Sequence, residues 1–84
     1  MNWNYREMVK TYEYGSSKEP QLDFGIYEVF YENDKPTSSI MTPISLEGFE
    51  SVEELKEAHE MMLEAYSLPI LWYDEDKFGQ VYEL

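Results

Sequence analysis

His59 and the carboxylates around it are the residues whose types could do chemistry, and their spacing decides how much. His59 is the single histidine of an 84-residue chain. A catalytic imidazole needs a nucleophile to serve, yet no Ser or Thr stands in a nucleophile motif and cysteine is absent. Carboxylates one helical turn away are an ordinary surface arrangement, so His59 is expected at a helix rim, as a weak pH sensor at most. The run Asp74-Glu75-Asp76-Lys77-Phe78-Gly79 matches the start of a calcium loop at its first, third and sixth positions. Its fifth position, Phe78, has no side-chain oxygen, and its twelfth falls beyond Leu84. It reads as an acidic turn. There is no glycine-rich phosphate loop and no metal-ligand spacing, so neither a cofactor nor an enzymatic activity is expected.

What remains is binding. Glu53, Glu57, Glu60 and Glu64 recur at spacings of four, three and four residues, which places them on one helix face. They stand about 5–6 Å apart along the axis, the same order as phosphates along a DNA strand. Like-charge neighbours of this kind cost about 0.2–0.5 kcal/mol per pair, so the ridge suggests a surface kept for a basic partner. Lys56 interrupts it. Asp74, Glu75 and Asp76 would add charge, and Tyr27, Tyr31, Trp72 and Tyr73, with Tyr5, could form one exposed aromatic face anchoring a partner. The same face could instead close a homodimer.

Six basic against eighteen acidic residues give a formal charge of −12. Residues 1–46 hold seven acids and four bases, residues 47–84 eleven acids and two bases. Such a field repels nucleic acid and anionic membranes and attracts basic protein surfaces. Solubility alone would also account for it. Eight Tyr, four Phe and two Trp supply large apolar area for one small domain, 1–84. The start of the chain has no signal-like apolar run, and the stretch from Ile70 to Tyr73 is too short to span a bilayer. A cytoplasmic address is the expectation, and the lack of cysteine suits it.

These residues need elements to hold them. Trp3 to Tyr14 reads as a strand, and Gly15 to Pro20 as a loop. In the next strand Phe24, Ile26 and Phe30 alternate with Tyr27, Val29 and Tyr31, so both faces are apolar. One could be covered by the helix; the other needs the tail, a second chain, or exposed tyrosines. Glu28 must reach a rim or find a donor. Asn33-Asp34 and Lys35-Pro36 make a tight turn into a third strand from about Thr37 to Leu46, an edge strand or one bulged near Pro43. Ser51-Val52-Glu53-Glu54 is a capping box, and Val52, Leu55, Ala58, Met62, Ala65 and Tyr66 form the stripe expected to be buried. Ile70 to Tyr73 reads as a short fourth strand, after which Val81-Tyr82 pairs back or packs. The expected fold is α+β: an antiparallel sheet of three to five strands with one amphipathic helix packed across it, in the order β-β-β-α-β.

Trp3-Asn4-Tyr5-Arg6, Gly25 to Tyr31, Thr42-Pro43-Ile44, Glu50 to Leu55 and Met62 to Ala65 carry a resemblance. Together they resemble a group of short, acidic, uncharacterised prokaryotic proteins that open Trp-Asn-Tyr-Arg. The resemblance implies a prokaryotic or phage origin, a strand-rich start and one acidic helix, and no activity. The tail after Asp76 departs from that pattern. The functional expectation is a non-enzymatic acidic module that binds a basic protein surface, in its most concrete form a nucleic-acid-mimicking inhibitor of the anti-CRISPR or anti-restriction type; the alternative is a small homodimeric or adaptor domain whose acidity serves solubility only.

Overall fold

Period-two alternation builds the longest strand and decides what each face carries. In the computed structural model, which describes residues 2–12 and 21–83, β1 (Trp3–Tyr12) pairs antiparallel with β2 (Gln21–Glu32) from Trp3–Phe30 to Tyr12–Gln21. The loop expected over Gly15 to Pro20 lies outside the described residues. Asn33 and Asp34 take φ of 51° and 63°, the two left-handed residues that a tight hairpin turn requires. Lys35 and Pro36, expected in that turn, instead open β3 (Lys35–Ser39). Register shifts between Phe30 and Tyr31, where Tyr31 comes to face Pro36. This places the irregularity opposite Pro36, not near Pro43, and β3 is an edge strand, as the one proline within it, Pro36, requires.

The third strand stops at Ser39, yet the chain keeps following β2. Ile40 N–H donates to the Glu28 carbonyl at 3.1 Å and Ile44 N–H to the Ile26 carbonyl at 2.7 Å. Gly25 permits this approach, since a Cβ there would stand 3.0 Å from Pro43 Cβ.

The sheet order is β3-β2-β1-β4, with β4 (Leu71–Trp72) parallel to β1 through Met8–Leu71 and Val9–Trp72. The fold is α+β with four strands, but the sheet is mixed where a purely antiparallel one was expected. The chain returns from the helix to the free edge of β1 running in the same direction, and a helix-containing crossover is what parallel pairing needs. Val81 then bridges Leu71 antiparallel.

Met8, Tyr27, Val29 and Leu71 form the buried core, with Tyr31, Ile40, Tyr73 and Phe78 packed on it. Burying a side chain of Met or Val size contributes about 1.5–3 kcal/mol. The cover on this face comes from Ile40 and the tail, as the 5.1 Å Tyr27–Tyr73 ring contact shows. On the opposite face Val9 is buried between its register partners Phe24 and Trp72. The Tyr82 ring touches both, at 5.7 Å and 5.3 Å.

α1 (Val52–Leu63) starts at Ser51, whose hydroxyl accepts from the Glu54 N–H at 3.1 Å. The Glu54 carboxylate reaches back to the Glu50 N–H at 3.3 Å, one residue before the cap. A 3-10 turn, Glu64–Ser67, follows. Met62 and Ala65 are buried, and Leu55 and Ala58 are half-buried. Val52 and Tyr66, expected in the same stripe, are 66 % and 59 % exposed. The helix therefore joins the sheet through its C-terminal end, against β1.

Candidate binding surface

Glu53, Glu57 and Glu60 are exposed on α1, and Glu64 is exposed as the first residue of the following turn. His59 is also exposed. All four carboxylates of the expected ridge are thus exposed. Beside it lie uncovered apolar side chains: Val52, Met61 and Leu63, the last 50 % exposed. Capping by Ser51 and the acidic first turn, Glu53 and Glu54, favour helix formation here, since carboxylates suit the positive end of the dipole.

The second acidic group divides. Glu75 and Asp76 are exposed, but Asp74 is half-buried and its Oδ1 accepts from the Thr11 N–H at 2.9 Å. That bond ties the tail to β1. Gly79 closes the turn with φ of 81° and donates its N–H to the Trp72 carbonyl at 2.9 Å. Among the described residues, no group of three or more His, Asp or Glu side chains is placed to hold a metal.

The single aromatic face does not form. Tyr27 is 1 % exposed, within the core. Tyr31 and Tyr73 are half-buried on the same face; the Tyr31 hydroxyl donates to Asn4 Oδ1 at 2.7 Å and the Tyr73 hydroxyl to the Met41 carbonyl at 3.2 Å. Tyr5 and Trp72 lie on the other face. The cause is register: odd-numbered residues of β1 sit opposite even-numbered residues of β2, so Tyr5 shares its face with Glu28 and Phe30. Trp72 is capped by Lys77, whose Nζ lies 3.8 Å from the ring centroid. Burial, then the Glu28 charge opposite, holds the Tyr5 phenol above its usual range. Burial raises Tyr27 likewise, followed by Tyr73 and Asp23.

Two features were not visible from sequence reasoning. One is Arg6, whose Nη1 donates to the Tyr31 hydroxyl at 3.0 Å and whose Nη2 donates to the Pro69 carbonyl at 2.8 Å. The other is a groove of about 290 Å³ between the start of β1 and the end of the helix, lined by Trp3, Asn4, Tyr5, Met61, Glu64 and Leu68. Its one sequence signal is that Met61 is apolar but outside the expected buried stripe.

The fold and surface define an acidic α+β protein with one helix, buried chiefly at its C-terminal end. In comparison with known proteins, no family model matches the chain, and no curated protein or solved structure matches it either. Among the described residues, no helix is long and apolar enough to cross a membrane.

Proposed function

We propose that this chain is a non-enzymatic, acidic protein-binding module, of cytoplasmic prokaryotic or phage origin, that presents α1 to a basic partner surface. The observation carrying this reading is the way α1 is mounted. It is attached at one end, with four exposed glutamates and exposed Val52, Met61 and Leu63 along its length. A helix with apolar side chains left in water gains most by docking into a groove. In its most concrete form the partner is a nucleic-acid-handling complex, and the ridge imitates a phosphate backbone as anti-CRISPR and anti-restriction proteins do. Direct nucleic-acid binding is disfavoured by the −12 charge.

The test is quantitative pull-down from a prokaryotic lysate with the wild type and with Glu57→Gln/Glu60→Gln/Glu64→Gln. Nucleic-acid-handling proteins should be captured at low salt and lost by the triple variant. An unchanged capture profile would end the proposal.

A second reading is a homodimer or adaptor whose acidity serves solubility. It is favoured by Trp3, Leu22, Phe24 and Phe30, which lie exposed on the sheet face opposite the core, Phe24 by 50 %. Sedimentation at roughly tens of micromolar, where weak interfaces populate, should then show a dimer.

A further inference from the structure

In a strand, successive residues turn their N–H and C=O groups to opposite sides. Tyr31 N–H donates to the Asn2 carbonyl at 2.9 Å, so the even-numbered residues of β1 direct these groups at β2. Trp3 and Tyr5 direct theirs to the other edge. β4 occupies that edge opposite Met8 and Val9. Beside Trp3 and Tyr5 lies the groove, with Met61, Glu64 and Leu68 as its far wall.

Its volume of about 290 Å³ falls at the lower limit of small-molecule pockets, roughly 300–1,000 Å³, and suits one large side chain. Trp3, Met61 and Leu68 make it apolar while remaining partly exposed. Glu64 stands in its wall, and Glu60 and Glu57 precede it on α1. Charge selects the occupant. A second copy would bring a charge of −12 against −12, whereas a basic segment meets an attractive field.

We propose that this groove receives one large apolar side chain, carried on an extended, basic segment of a partner protein whose backbone pairs with the Trp3–Tyr5 edge. The inference rests on the binding-module reading and adds to it a second contact, which adjoins the ridge at Glu64. Strand addition supplies main-chain hydrogen bonds, the groove supplies side-chain selectivity, and flanking lysines face Glu60 and Glu64.

Three capped peptides of alternating Lys and Val test it: one with a central Phe, one with a central Ala, and one with the central Phe but Glu in place of Lys. Each is titrated into the full, isotope-labelled chain and followed by NMR. The Lys–Phe peptide should shift the amides of Trp3, Tyr5, Met61 and Leu68, and should bind at least about tenfold more tightly than the Ala peptide. The Glu peptide should not bind. Met61→Glu, at an exposed position and without adding repulsion for lysine, should reduce the Phe peptide to the affinity of the Ala peptide. Equal binding of the Phe and Ala peptides, or shifts confined to the Glu53–Glu57 end of α1, would overturn the groove and leave the ridge reading standing. Binding by none of the peptides would overturn the groove as well, and the triple-glutamine pull-down would then judge the ridge alone. A dimer in sedimentation with the same four amides shifted would assign the groove to a second copy and overturn the basic segment.

Discussion

The Arg6 guanidinium donates to the Pro69 carbonyl at 2.8 Å, joining residues 63 positions apart. Through Nη1 it also donates to the Tyr31 hydroxyl, which in turn donates a hydrogen bond to Asn4 Oδ1. One side chain thus ties β1, β2 and the segment leaving the helix. Its Nε is buried with no hydrogen-bond partner among the described residues, so the fork is used at two of its three nitrogens. Because α1 meets the sheet only near this end, the Arg6 contact helps fix both the angle of the helix and the wall of the groove.

Arg6→Lys should therefore destabilise the fold by about 1–2 kcal/mol, since a lysine cannot serve two acceptors in a fixed fork. Tyr31→Phe should cost about 1 kcal/mol by removing the hydroxyl between Arg6 and Asn4. Urea unfolding of the two single variants and the double variant should give a sum larger than the double loss. Additive losses would show that the guanidinium and the hydroxyl act independently.

The mounting of α1 predicts uneven protection. Its first two turns carry exposed Val52 and half-buried Leu55, whereas Met62 and Ala65 are buried. Amide hydrogen exchange should be fast over residues 55–58 and slow in β1 and β2, because local opening requires little apolar exposure there. Ser51→Ala removes the cap, worth about 1 kcal/mol to the helix. It should accelerate exchange in α1 while moving the global unfolding midpoint little. Equal slowing of α1 and β1 would show a helix more firmly docked than its burial indicates.

Local rules made some of this legible in sequence. The alternation of Phe24, Ile26 and Phe30 against Tyr27, Val29 and Tyr31 assigned both faces of β2 correctly, because side-chain period is a property of the strand itself. Asn33-Asp34 announced its turn by backbone tolerance, and Ser51 its cap by hydroxyl geometry. The parallel β4 contact was not legible. It spans two residue pairs and joins segments some sixty positions apart. The stripe from Val52 to Tyr66 marked which side of α1 is apolar, but periodicity does not say whether anything covers that side. The exposed aromatic face failed for a related reason: parity within a strand is local, but the register that matches Tyr5 with Glu28 is set by the whole hairpin. The groove needs β1 and the helix end together, so no single segment advertises it.

Tyr27 and Tyr5 make stability sensitive to base. Burial is the main cause of both raised phenol pKa values, with Tyr73 and Asp23 adding to the first and Glu28 to the second. In the unfolded chain each phenol ionises near the ordinary tyrosine value of 10.0. Above that pH the unfolded state holds fewer protons than the folded one, so stability falls as pH rises from about 10 through the folded pKa values. Below that window their contribution is fully present. Denaturant unfolding between about pH 8 and 11 should show the decline, and Tyr5→Phe should reduce its slope. A flat profile would mean that both phenols ionise freely in the folded protein.

Gly25→Ala should destabilise by about 1–2 kcal/mol, because the new methyl would stand 3.0 Å from Pro43 Cβ and 3.3 Å from Tyr27 Cε1. Tyr27 is locked in the core, so the segment at Pro43 must yield. Pro43→Gly removes the opposing carbon and should restore part of the loss in the double variant. No recovery would locate the strain at Tyr27.

Neutralising the glutamate ridge should stabilise the protein even as it weakens partner binding. Glu53–Glu57, Glu57–Glu60 and Glu60–Glu64 are like-charge neighbours at helical spacing, each worth about 0.2–0.5 kcal/mol of repulsion. Glu64 also lies at the negative end of the helix dipole, where the last turn carries no basic residue to offset it. Against this, Lys56 loses its favourable neighbour Glu60 when that carboxylate becomes an amide. Glu57→Gln/Glu60→Gln/Glu64→Gln should therefore gain about 0.5–1 kcal/mol at low ionic strength. The gain should vanish near 1 M salt, where the screening length is about 3 Å. Because α1 is docked at one end, the effect should appear first as slower amide exchange within the helix and only then as a higher unfolding midpoint. Stabilisation that persisted in high salt would point to improved helix propensity or packing, and the ridge would then be no more than solvated surface.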